Sequence, residues 1–328
     1  MKQEITVLFT DTHFGVKNNS MTWLKSQMNF IYNQLIPYLK EKKKNYSIRL
    51  IHLGDVFDSR SSISTMVASK VVEVFGELRN CVDSFYIIAG NHDFYSPNSD
   101  EVNTLSLLFD QMDIKLIIDK FYQDGEDIMV PWYSWGVPEI QNMINNGVKR
   151  IFTHTDIVTK RIPYQRVDVF SGHEHVPMIK KEKGLFNLGS CYSLNFTDAN
   201  QKRGFWVLID NELRFEANTQ SICFWRLYNE EIFDEQFITS KISDGDYIEI
   251  YITQKNMSND EYIRVINSLT KKYKNIWIIP KSDDIDTGIE KFEGYNIEDI
   301  TKSLIPSELK EKFQVLLNKI QKNIIIDT

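Results

Sequence analysis

What most constrains this chain is the position of its metal-capable side chains. Short apolar runs of strand character end, one after another, in oxygen or nitrogen donors. Ile5-Thr6-Val7-Leu8-Phe9 leads into Asp11-Thr12-His13, and Ile48-Arg49-Leu50-Ile51-His52-Leu53 leads into Gly54-Asp55. Phe85-Tyr86-Ile87-Ile88 leads into Gly90-Asn91-His92-Asp93, residues 150–153 into His154, and residues 167–170 into Gly172-His173-Glu174-His175. In open α/β sheets the rim beyond the carboxyl ends of the strands is where sites form. Glycine beside such a cluster lets the backbone turn sharply and lets a ligand approach. The chain has six histidines and five of them lie in these clusters; His52, inside a strand, is expected to pack or to hydrogen-bond.

The segments between these runs carry helical spacing: residues 21–44, with a bend or interruption expected at Pro37, residues 64–78 and residues 101–112. Further strands are predicted over 115–118 and 127–130. Strand–helix alternation of this kind predicts a layered α/β architecture with a largely buried sheet over residues 1–220. From 185 to 218 the pattern turns to strands, with a hairpin at Asp210-Asn211. A second, small α+β domain is predicted over 221–285. Tyr247-Ile248-Glu249-Ile250-Tyr251-Ile252 alternates as a half-buried strand, Ser258-x-x-Glu261 reads as a capping box opening a helix, and residues 275–279 read as a strand stopped by Pro280. Residues 286–328 are read as linker and two amphipathic helices, near 297–305 and 307–321.

The donors number seven: Asp11, His13, Asp55, Asn91, His154, His173 and His175. That is too many for one tetrahedral ion and suits two octahedral ions sharing a carboxylate. Imidazole and carboxylate without thiolate favour Mn²⁺, Fe or Zn²⁺ over Ca²⁺ or a structural zinc. Two such ions can generate a hydroxide and clamp a phosphoryl oxygen, which is phosphoester hydrolysis. His92 is left beside them as a non-ligand suited to protonating a leaving oxygen, with Asp93 expected to orient it. Each piece has a plainer explanation as turn chemistry or a core histidine. The ordered placement of all five clusters at strand ends is what those explanations do not produce.

The ordered set resembles the calcineurin-like metallophosphoesterases. Gly54-Asp55-Val56-Phe57-Asp58-Ser59-Arg60, Gly90-Asn91-His92-Asp93, Gly189-Ser190, Phe196-x-Asp198 and Lys202-Arg203-Gly204-Phe205-Trp206 resemble SbcD-type DNA repair nucleases, most of all the compact nuclease subunits of tailed phages. The resemblance covers residues 1–210 by motif. It implies a β-sandwich flanked by helices, a small capping domain that contacts DNA, and C-terminal helices. It also implies one ion held by Asp11, His13, Asp55 and His175 and another by Asp55, Asn91, His154 and His173, with Asp55 bridging and His92 near the scissile phosphate. The activity implied is a 3′→5′ exonuclease and single-strand endonuclease dependent on Mn²⁺, with Mg²⁺ as the alternative metal. Two departures stand out: Cys191 replaces the proline common after the Gly-Ser, and Asp58 replaces a histidine found in some relatives. A phosphatase of the same superfamily is disfavoured by Asp93 and Ser61, and a catalytically silent scaffold by the complete donor set.

The implied partners are DNA and an SbcC-type ATPase gripped through residues 291–328. A homodimer is expected through the apolar faces of the helices at 64–78 and 101–112. A net charge of −7 excludes a wholesale cationic wrapper of nucleic acid, although Lys40-x-Lys42-Lys43-Lys44 and Lys180-Lys181-x-Lys183 are local basic stretches. Three scattered cysteines, Cys81, Cys191 and Cys223, predict no disulfide framework and a reducing compartment. With no apolar run long enough for a membrane and no signal-peptide shape at the start, the expected location is the cytoplasm, the host's if the chain is phage-encoded.

Overall fold

A computed structural model describes residues 2–96, 99–159 and 162–281. Among the described residues there are seventeen strands. The first sheet uses β1 (Glu4–Phe9), β2 (Ser47–His52) and β3 (Ser84–Ile88), and a small hairpin follows from β4 (Phe94–Ser96) and β5 (Ser99–Asn103). β6 (Lys115–Ile117) returns to the first sheet. β7 (Tyr122–Asp124), β8 (Asp127–Val130), β9 (Arg150–Thr153), β10 (Asp168–Ser171), β11 (Met178–Lys180) and β12 (Leu185–Asn187) build the second. β13 (Gly204–Ile209) and β14 (Glu212–Ala217) complete the first, giving two six-stranded sheets ordered β14-β13-β1-β2-β3-β6 and β11-β12-β10-β9-β8-β7. Asp210 and Asn211, both with positive φ, form the turn between β13 and β14. β15 (Phe224–Tyr228), β16 (Tyr247–Thr253) and β17 (Asn275–Lys281) make a separate parallel three-stranded sheet.

The two large sheets close on an apolar layer that includes Leu8, Ile51, Ile88, Met129, Phe152 and Phe170. Because the parallel strands are covered on both faces, they read as continuous apolar runs rather than alternating ones. The outer face of the first sheet is covered by the helices Met21–Phe30, Ile36–Lys43, Thr65–Cys81 and Thr104–Phe109. The helix Pro138–Asn145 lies over the second sheet. The architecture is therefore the layered α/β sandwich flanked by helices that the sequence predicts. Among the described residues no helix is long and apolar enough to cross a membrane. The helices expected at 297–305 and 307–321 lie outside the described residues.

Local differences from expectation have local causes. The helix expected over 101–112 is shorter, because residues 99–103 pair with β4 and Asn103 then caps Thr104–Phe109, its side chain accepting from the Ser106 N–H at 2.8 Å. Pro37 does not end the long N-terminal helix. The chain passes through one π-helical stretch, Ile31–Leu35, which accommodates the N–H that proline lacks. Asn259, not Ser258, caps the helix Asp260–Lys272 by accepting from the Glu261 N–H. β17 continues through Pro280 because it lies at the edge of its sheet, where a missing donor costs no ladder bond.

Phe75 is the packing centre of the helix-covered face. Fully buried, its ring lies 5.0 Å from Phe109, 5.7 Å from Phe85 and 6.1 Å from Phe14. Phe75→Ala should cost about 3–5 kcal/mol of unfolding free energy, read from the urea midpoint at unchanged slope.

Candidate metal centre

Backbone comes first. Parallel pairing of β1 with β2 and of β2 with β3 brings their carboxyl ends level, and backbone bonds lock the loops that follow β1 and β2 together. Asp11 N–H donates to Gly54 O at 3.0 Å, and His13 N–H donates to Asp55 O at 3.1 Å. Asp11, His13, Asp55 and His173 have φ values of 51°, 40°, 55° and 83°. Left-handed backbone at four non-glycine residues is costly, and such strain collects where side chains must be aimed. Gly54, at φ 99°, leaves room for the His154 ring; a Cβ there would lie 2.5 Å from its Nδ1. A Cβ at Gly90 would collide with the Asp55 carboxylate.

The seven donors converge from the two sheets. His154 Nε2 lies 3.2 Å from Asp55 Oδ2 and 3.2 Å from Asn91 Oδ1, and His173 Nδ1 lies 3.0 Å from the same Asn91 oxygen. His13 Nε2 sits 3.1 Å from His175 Nε2, and 3.8 Å from both Asp11 Oδ1 and Asp55 Oδ2. Three trios have donor atoms within 4.8 Å of one another: Asp11–His13–His175, His13–Asp55–His92 and Asp55–His154–His173. Asp55 belongs to two of them. His154 Nδ1–H donates to Leu53 O at 2.7 Å, so Nε2 is the nitrogen that faces Asp55 and Asn91 and would ligate once its proton is lost.

The supporting groups are partly unexpected. Asp93 does not orient His92. Its buried carboxylate accepts from the backbone N–H of Asp55, Val56 and Gly90 at 2.9–3.0 Å, so it shapes the Asp55 loop. The group that orients His92 is the Asp58 carbonyl, 2.6 Å from Nδ1, while the His92 N–H donates to Asp55 Oδ1 at 2.8 Å. Asp58 also places a carboxylate oxygen 3.7 Å from His13 Nδ1. Gln27, a polar residue on the buried side of an amphipathic helix, donates to the carbonyls of Thr12 and His13 and to Tyr192 Oη. That placement is a signal the sequence carries. Arg203 donates to the His175 carbonyl and pairs with Asp198 at 2.6 Å. Trp132 stands with its ring 5.0 Å from that of His173. His52 packs edge-on against Phe9 and meets Thr12 Oγ1 at 3.0 Å, as expected of a core histidine.

Burial opposes the charge of the Asp11 carboxylate, yet His13, His154 and His175 outweigh it and hold the group at about 2. Burial works the same way on Asp55, and the charges of His154, His13 and His92 leave it far below the ordinary carboxylate range. Conversely, burial and then the Asp55 charge push Asp93 up to about 7. Burial disfavours the charged form of His154, but Asp55 raises it to about 9. Such a set fits divalent ions: two imidazole nitrogens face each other at 3.1 Å, the buried His13 Nδ1 has no hydrogen-bond partner, and a shared carboxylate lies between trios.

These shifts have a sign. The raised His154 contributes stability that is complete below its ordinary value near 6.5 and is lost as pH rises toward 9. Raised Asp93 likewise costs stability as pH rises from its ordinary value of 3.8 through about 7, a loss nearly complete before the His154 window opens. In the presence of a chelator the melting temperature should therefore fall from pH 6.5 to 9. With divalent ions the stabilisation should instead grow over that range, because ligand nitrogens lose protons on binding. Thermal scans with and without chelator measure both slopes.

No curated protein matches the chain at a significant level. The family profile Calcineurin-like phosphoesterase matches residues 6–177, more than half the chain and a span that holds all seven donors and His92. The helix-flanked α/β sandwich and this profile agree, and the chain belongs to the calcineurin-like phosphoesterases.

Proposed function

We propose that this phosphoesterase is a DNA nuclease, cleaving phosphodiesters as a 3′→5′ exonuclease and single-strand endonuclease within a strand-break-processing complex. The observation that carries the hydrolytic part is the sharing of Asp55 between two trios of donors. Asp11, His13, Asp55 and His175 would hold one divalent ion, and Asp55, Asn91, His154 and His173 the other. Mn²⁺ is the first choice and Mg²⁺ the alternative. When bound, such a pair activates water and neutralises charge on the phosphoryl oxygens.

The chain's own residues supply the rest. His92, with Nδ1 tied to the Asp58 carbonyl, keeps Nε2 for a departing sugar oxygen. Asp93 and Gly90 keep Asp55 in its strained turn, and the Asp58 carboxylate lies beside His13. Support for the SbcD-type assignment comes from the Phe196-x-Asp198 and Lys202-Arg203-Gly204 motifs. Their Asp198–Arg203 pair secures the carbonyl of the proposed ligand His175, so the motif has work to do at this centre.

Asp55→Ala should abolish both DNA cleavage and the Mn²⁺-dependent rise in melting temperature. His92→Asn should keep the rise and lower turnover by about 10²–10⁴. Loss of metal stabilisation in His92→Asn would make His92 a ligand, as its place in a trio with His13 and Asp55 allows. Turnover of a phosphomonoester without DNA cleavage would replace the nuclease with a phosphatase.

Two partners belong to the same proposal. The apolar spacing of Ile297, Ile300 and Leu304, and of Leu309, Phe313, Leu316 and Ile320, suits a groove on an SbcC-type ATPase. The apolar faces expected to pair, Val67, Val71, Phe75 and Leu78 on one helix and Leu105, Leu108 and Met112 near the other, instead pack into the core over the first sheet, so a second copy would meet the opposite sides, where Met66 is 51% and Leu107 81% exposed. Deleting residues 291–328 should preserve Mn²⁺-dependent cleavage of single strands and abolish co-purification with the ATPase. Sedimentation of the full chain at micromolar concentration should show a dimer.

A further inference from the structure

Of the six histidines, His52 is the one outside the donor clusters, and it is held by more than packing. Its ring is fully buried among phenylalanines, 4.6 Å from Phe9 and 6.0 Å from Phe75. Burial disfavours the charged form and holds the imidazole down at about 3, so the ring is neutral, with one donor nitrogen and one acceptor. The backbone N–H of Gly54 lies 3.2 Å from Nδ1, which makes Nδ1 the acceptor. Nε2 therefore carries the hydrogen and donates to Thr12 Oγ1 at 3.0 Å. The Thr12 hydroxyl in turn donates to Val56 O at 3.1 Å. Gly54, His52, Thr12 and Val56 thus form one directional chain, with both imidazole nitrogens paired.

This chain of bonds joins the loops that carry the centre. Thr12 lies between Asp11 and His13, and Gly54 and Val56 flank Asp55. The bonds therefore run from the residue between two donors to both neighbours of the third. Asp11, His13 and Asp55 all have left-handed backbone, at φ 51°, 40° and 55°, which persists only where the surroundings hold it. The Thr12 carbonyl, for its part, accepts from Gln27 Nε2 at 2.8 Å and from the Tyr192 hydroxyl. Thr12 is thereby fixed through side chain and main chain alike. Packing alone gives no reason for an imidazole here. A buried polar ring costs free energy unless its nitrogens are paired, and Phe9 and Phe75 offer the surroundings of a further apolar ring.

We propose that His52 and Thr12 are positioning residues of the metal centre. The hydrogen bonds from Gly54 through His52 and Thr12 to Val56 set where Asp11 and His13 stand relative to Asp55, and through them the spacing of the two ion positions. Neither residue is itself a donor to an ion. A shared carboxylate serves two ions only while the remaining donors keep their places, and such a constellation works within about 0.5 Å of its productive geometry. A hydroxyl and an imidazole sealed in the core suit that tolerance, because no solvent competes for their bonds. The inference rests on the two-ion reading of the site and is independent of whether the phosphodiester is DNA.

The test uses the full chain. Thr12→Val keeps the shape and removes both hydroxyl bonds, while Thr12→Ser restores them. In chelator, hydrogen exchange of the Asp11 and His13 N–H groups should quicken by about 5- to 150-fold in Thr12→Val. It should return near the native rate in Thr12→Ser, with the N–H groups of β3 unchanged throughout. With two equivalents of Mn²⁺, the native protein should give the paramagnetic resonance signal of an exchange-coupled pair. Thr12→Val should bind both ions with that coupling weakened, and Thr12→Ser should recover it. His52→Phe, with His52→Gln as its conservative partner, carries the same test should Thr12→Val fail to fold. Native exchange and a native signal in the folded variants would overturn the proposal, whatever their melting temperature, and reduce both residues to core packing. Quickened exchange with an unchanged signal would also overturn it, by confining the bonds to the loops. A native protein that binds no coupled pair would overturn the two-ion reading, and quickened exchange in Thr12→Val would then leave the hold on the loops standing.

Discussion

Two carboxylates, Asp11 and Asp55, are buried side by side at the meeting of two sheets, and like charges in so dry a place repel unless cations stand between them. The surroundings of the centre answer that electrostatic demand. Histidines are aimed inward from β9 and β10, left-handed turns bring the donors onto the rim, and small residues at Gly54 and Gly90 let them close up. Backbone N–H groups and carbonyls add neutral support, and the Arg203–Asp198 pair secures the His175 loop. Asp93 adds a further buried carboxyl, and burial together with the Asp55 charge raises it to about 7.

Much of this was legible from residue order. Parallel strands buried on both faces write themselves as apolar runs, and a donor just after each run marks the rim, so Asp11, Asp55, Asn91 and His154 could be placed with no coordinates. What the sequence could not give was which atom each side chain meets. Asp93 follows His92 directly and so invites the idea of orientation, yet the turn at Gly90 directs its oxygens at three backbone N–H groups while the Asp58 carbonyl reaches the ring. Such choices depend on the path of a tight loop, which side-chain chemistry alone does not encode.

The same limit explains the secondary-structure differences. Residues 101–103 have helical spacing, but pairing with β4 captures them first; tertiary partners override local preference at the ends of short elements. Pro37 and Pro280 both look like stops. A helix that relaxes into a π turn and a strand at a sheet edge each tolerate the missing donor.

The strand β13 lies against β1 in antiparallel register, Thr6 opposite Leu208, and Arg203 just before it grips the loop that carries His175. The segment that closes the site therefore comes some two hundred residues after the segment that begins it. Until β13 leaves the ribosome, β1 has an open edge and the His175 carbonyl lacks its guanidinium. The site is thus assembled late in synthesis, through one of the most distant pairings in the chain, and such long-range closure is slow. A fragment cut where the family profile ends, at residue 177, would contain all seven donors and still lack the strand that holds them in register.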